Sequence, residues 1–89
     1  MRKFLMEDSL KRTISKSSKK DKVLYEAVMN KIEEVLTCED VNHYKNLKKP
    51  LEDFKRVHIK GPFVLIFKYN RAEDQVIFFD LDHHDKVYS

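Results

Sequence analysis

The chain has 89 residues, 42% of them hydrophobic and 37% charged, with a formal net charge of +3. That length supports one modest core and not two, and the apolar and aromatic share is too high for a disordered segment. One cysteine, Cys38, excludes an internal disulfide and a cysteine-based zinc site.

The chain begins Met-Arg-Lys-Phe-Leu-Met, where Phe4-Leu5-Met6 reads as a short strand. Glu7 and Asp8 follow before a signal-peptide core can form, and no later run approaches a membrane span, so the reading is cytoplasmic. Ser9 serves as an N-cap for a first helix whose stripe is Leu10, Ile14 and Ser17. Ser17-Ser18-Lys19-Lys20 reads as a break. Ser18 and Asp21 then cap a stronger helix reaching about Cys38, in which Leu24, Ala27, Val28, Ile32, Val35 and Leu36 recur at helical spacing and make a core-facing stripe.

After a polar connection the period becomes two. Phe54 to Ile59 alternates as a strand, Gly61-Pro62 supplies a turn, Phe63 to Tyr69 is a second strand, residues 70–74 form a hairpin loop, and Gln75 to Leu81 is a third. Short loops favour an antiparallel meander. The expected fold is α+β in the order β-α-α-β-β-β: one domain over 1–89, an antiparallel sheet with both helices on one face and the other face partly open.

Charge is unevenly spread. Residues 1–62 carry 15 Lys/Arg against 10 Asp/Glu, whereas residues 63–89 carry 3 against 5. A basic first portion permits a polyanionic partner without requiring one. On the first long strand Arg56 and His58 are two apart and project from one face with Phe54, a reasonable anion-binding surface.

The tail Asp82-His83-His84-Asp85-Lys86-Val87-Tyr88 admits two readings. Consecutive His83, His84 and Asp85 point alternately in an extended chain and match no metal-ligand spacing, so no metal or other cofactor is expected. Acid–base chemistry fits better. An imidazole exchanges protons near neutral pH with little tuning, and a tyrosine four residues past His84 can orient substrate, stack on a base or give a proton. With lysines and arginines nearby, these are the parts for cleaving an RNA phosphodiester without a metal.

The tract Asn46-Leu-Lys-Lys-Pro-Leu-Glu-Asp-Phe-Lys-Arg-Val-His-Ile-Lys-Gly-Pro-Phe-Val-Leu-Ile-Phe-Lys68, followed by the terminal Asp-His-His-Asp-Lys-Val-Tyr, resembles the RelE/ParE superfamily of toxins, especially its RelE and YafQ branches. The resemblance implies a cytoplasmic, metal-free, ribosome-dependent endoribonuclease that cuts mRNA in the 30S A site and is silenced by a cognate antitoxin. It places His58 at an active-site histidine position and His84 at the general acid–base histidine. Tyr88 falls on the terminal catalytic or stacking aromatic, and Arg56 on a phosphate-binding arginine. Lys45, Lys48, Lys49, Lys55, Lys60 and Lys86 make up the basic RNA or phosphate-binding set.

Three positions depart from the family pattern: Val64 stands where RelE-like toxins carry an arginine, Pro62 where YafQ-like members carry an aspartate, and His84 where the terminal pattern often has an arginine. The other reading is therefore a non-catalytic toxin-fold binder, either a ParE-like gyrase inhibitor or an inactive antitoxin-binding relative. For the antitoxin, the two helices are the expected docking surface, facing an acidic amphipathic helix or an added strand.

Overall fold

The computed structural model describes residues 1–83. In chain order these form β1 (Lys3–Met6), α1 (Asp8–Lys20), α2 (Lys22–Thr37), a short 3-10 turn (Val41–His43), β2 (Lys55–Lys60), β3 (Phe63–Asn70) and β4 (Gln75–His83). The α+β order is the expected one. The four strands make one sheet in the order β1-β4-β3-β2. β2, β3 and β4 pair as the antiparallel meander that their short loops favour, but β1 runs parallel to β4, so the sheet is mixed.

The helix boundary sits later than the serine pair suggests. α1 runs through Ser17 and Ser18 to Lys20, because both hydroxyls bond back to helix carbonyls, Ser17 to Thr13 and Ser18 to Ser15. Asp21 makes the break alone. Its amide closes α1 on the Ser17 carbonyl, and its carboxylate caps α2 by accepting from the Leu24 amide at 3.1 Å. Glu7, rather than Ser9, occupies the N-cap position of α1.

Both helices lie on one side of the sheet. Leu10 of α1 and Leu24, Val28, Ile32, Val35 and Leu36 of α2 pack with Leu65, Phe67, Val76 and Phe78. Each large side chain removed from water contributes about 1.5–3 kcal/mol, so Phe67 and Phe78, both fully buried, anchor the fold. Among the described residues no helix is long and apolar enough to cross a membrane.

Arg2 fastens the chain start to this core. Its guanidinium donates to the carbonyls of Val35, Cys38 and Glu39 at the end of α2, and its Nε donates to Asp74 at 2.9 Å. Carbonyls that a helix leaves unpaired at its C-terminus are thereby satisfied by a cation.

Candidate functional site

The face of the sheet away from the helices carries the polar side chains of interest. Val57 and Ile59 pack toward the core, so alternation sends Phe54, Arg56 and His58 to the opposite side. The ladder sets two rows across that face: Arg56 beside Ile66 beside Asp80, and His58 beside Val64 beside Asp82. Arg56 and His58 are thus brought together as their spacing predicts.

His58 Nε2 lies within hydrogen-bond reach of the Gly61 carbonyl. A carbonyl can only accept, so Nε2 carries the proton, and in the neutral ring the basic lone pair falls on Nδ1. Gly61 has φ +55°, a left-handed conformation that glycine adopts without strain, and this turn aims its carbonyl back at the imidazole.

Two bulges decide what else shares the face. In β4, Ile66 pairs with Asp80 and Phe67 with Phe78, leaving Phe79 as an extra residue. Without it Asp80 and Asp82 would point under the helices; with it they turn outward and Leu81 turns toward the core. In β2, Ile59 is the extra residue between the His58–Val64 and Lys60–Phe63 pairs. Lys60 therefore leaves the alternation of Arg56 and His58 and lines a small hollow on the helix side with Asp21, Leu24 and Phe63.

The remaining lysines divide. Lys45, Lys48 and Lys49 are exposed on the connection before β2. Lys55 is buried at 6% exposure, and its ammonium donates to the Tyr44 carbonyl at 3.1 Å and to Asn46 Oδ1 at 3.0 Å. Burial pushes its pKa below the ordinary lysine value. Lys55 thus pins the connection to the sheet and is withdrawn from the phosphate-binding set. Next to it Tyr44 donates to the Glu34 carboxylate, which holds the Glu34 pKa down while burial and that carboxylate push the phenol up. His84, Lys86 and Tyr88 lie outside the described residues.

Residues 47–54 curl over part of the face. Leu47, Leu51 and Phe54 join Ile66 and Phe79 as the apolar lining of a hollow of about 810 Å³, rimmed by Glu7, Asp80 and Asp82. At its side Phe54 and Phe79 meet edge to face at 5.0 Å, and Lys68 Nζ sits 4.5 Å from the Phe54 ring centre and 5.6 Å from that of Phe79. Lys68 and the two aspartates were not singled out from the sequence. Lys68 was recoverable from the alternation of β3; the aspartates were not, since their side depends on the bulge. Among the described residues, no group of three or more His, Cys, Asp or Glu side chains is placed to hold a metal ion.

Over 80 residues the chain is 48% identical to a protein of Methanocaldococcus jannaschii named "Putative toxin RelE4", a match covering 90% of this chain and 83% of that one. This chain belongs to the RelE family of toxins. No protein-family model matches it. Its fold is similar to that of a YoeB/ParE toxin from Agrobacterium tumefaciens, with a TM-score of 0.77 at 11% identity, covering 92% of this chain and 98% of the other. It is also similar to a chain of the toxin–antitoxin complex RelBE2 from Mycobacterium tuberculosis, with a TM-score of 0.62 at 16% identity over 92% of this chain and 96% of that one. At such identities the structural likeness concerns the fold alone. Within the RelE-family chain, Val64 is 2% exposed between His58 and Asp82, so the departure noted in the sequence leaves an apolar side chain in the middle of the polar row.

Proposed function

We propose that this RelE-family chain is the toxin of a type II toxin–antitoxin pair and acts as a metal-free, ribosome-dependent endoribonuclease on mRNA in the A site. The observation that carries the reading is the juxtaposition of Arg56 and His58 on a sheet face that neither helix covers. In this mechanism a base withdraws the proton of a ribose 2′-hydroxyl and the oxygen attacks the adjacent phosphorus. The 5′-oxygen then leaves with a proton from the acid, giving a 2′,3′-cyclic phosphate and a 5′-hydroxyl. Arg56 steadies the negative charge gathering on the phosphorane, where a preplaced cation is worth most. His58 serves through Nδ1 as proton acceptor or, when protonated, as a second cation. His84 is the principal acid–base group and Tyr88 its aromatic partner, by the family resemblance.

The antitoxin follows from the same reading. The outer side of α1 presents Lys11, Arg12, Lys16, Lys19 and Lys20, all exposed, and suits an acidic amphipathic helix. A second reading, a non-catalytic binder of the ParE kind, draws on the apolar Val64 in the row beside His58 and on the fold likeness to a YoeB/ParE toxin.

Primer extension on a translated message separates the two. The nuclease reading expects new message ends in the A site with the parent and their loss with His84→Ala or His58→Ala at equal protein level. Growth arrest with intact messages and blocked supercoiling would establish the binder instead.

A further inference from the structure

Lys68 stands on the sheet face away from the helices, in the row next to Arg56. We propose that it is a phosphate-binding residue of the RNA site, holding a message phosphate adjacent to the one taken by Arg56, with Phe54 and Phe79 as the cradle that fixes its ammonium. This rests on the nuclease reading and extends it to a residue that the family resemblance does not supply.

Position comes first. Lys68 follows Ile66 by two on β3, and Ile66 pairs with Arg56, so Lys68 and Arg56 are diagonal neighbours on one face. Such neighbours lie about 7–8 Å apart, a span comparable to that between successive phosphates of an extended strand.

The cradle is itself fixed. Phe54 is tied at both backbone groups, its amide to the Leu51 carbonyl and its carbonyl to the Leu47 amide, each at 2.9 Å. Phe79 meets the Phe54 ring edge to face at 5.0 Å. Ring faces attract the ammonium charge without matching its N–H groups to strong acceptors, so those donors stay available to an anion. A lysine held in this way gives up less rotamer freedom when it binds.

Charge balance makes the residue necessary. With Lys55 buried and Lys60 turned to the helix side, the two central rows hold Arg56 and His58 against Asp80 and Asp82. A polyanion meeting two carboxylates and one permanent cation is poorly accommodated, and Lys68 supplies the second.

The test uses the intact protein on ribosomes stalled with a defined A-site codon, comparing the parent with Lys68→Gln and Lys68→Arg. Single-turnover cleavage gives the half-saturating toxin concentration and the maximal rate. Messages carrying a methylphosphonate at one linkage beside the scissile bond remove a single phosphate charge. Lys68→Gln is expected to raise the half-saturating concentration about three- to fivefold, the upper scale of one accessible charged contact. The maximal rate should stay within about twofold, as for an interaction made equally before and during the reaction. Lys68→Arg should retain most of the parent's affinity. Neutralising the partner phosphate should weaken the parent by a similar factor and add little to Lys68→Gln.

If Lys68→Gln matches the parent while the parent cleaves, the proposal fails alone. It also fails if every neutral linkage costs Lys68→Gln as much as it costs the parent, since the lysine would then touch ribosomal RNA or nothing. A parent that cuts no message overturns the nuclease reading, and this proposal with it.

Discussion

Replacing Lys55 by methionine tests whether that lysine serves the fold or the RNA. The side chain is 6% exposed and its ammonium is spent on Tyr44 O and Asn46 Oδ1. Methionine keeps the apolar stem and removes both donors. Each acceptor left without a partner costs about 1–3 kcal/mol, while the desolvation of a buried ammonium, several kcal/mol, is relieved. The net loss should therefore be small, about 1–2 kcal/mol, which lowers Tm by about 4–8 °C per kcal/mol in a domain of this size. Alanine also forfeits three methylenes at about 0.8 kcal/mol each, bringing the loss to about 3–4 kcal/mol.

The pH dependence has a definite sign. Burial lowers the Lys55 pKa in the fold below its ordinary 10.5, so between the folded and unfolded values the unfolded chain binds more protons. Stability from this group rises with pH across that window. The parent's lead over Lys55→Met should widen as pH climbs toward 10.5 and stay level well below it. Urea denaturation at several pH values measures both effects, and the salt dependence of ribosome binding should be unchanged. A variant as stable as the parent with a shallower salt slope would refute the reasoning, because Lys55 would then be acting on phosphate.

Arg2→Ala removes the donors that close the end of α2 and is expected to cost about 3 kcal/mol in urea denaturation, in line with losing several charge-assisted bonds. Asp21→Ala deletes the cap between the helices, at about 1 kcal/mol; amide exchange at residues 22–25 should quicken more than at β3. Glu34 is held below its ordinary 4.5 chiefly by the Tyr44 hydrogen bond, so its contribution is present above that value and is lost as pH falls through the folded one. The difference in stability between the parent and Glu34→Gln should accordingly shrink below pH 4.5. Arg56→Ala should slow message cleavage about a hundredfold at equal protein level, the usual loss for one transition-state donor.

Much of this molecule was legible in the chain because it depends on neighbours a few residues apart. The stripe from Leu24 to Leu36 dictates an amphipathic helix whatever it packs on. Turn lengths dictate the β2–β3–β4 meander, and the two-residue period puts Arg56 and His58 on one side of a strand. Tertiary structure alone decided the rest. β1 is joined to β2 through two helices, so no loop length specifies its partner; it pairs with the side of β4 not taken by β3, in parallel. The bulge at Phe79 matters because regular alternation would bury Asp80 and Asp82 under the helices, and one inserted residue sends them to the opposite face and Leu81 to the core. Lys55 and Lys68 are both strand lysines, yet one is consumed by a carbonyl and an amide oxygen and the other rests on two aromatic rings. Strand periodicity assigns a lysine to a side of the sheet, and only the groups that the folded chain brings from elsewhere determine what its charge can reach.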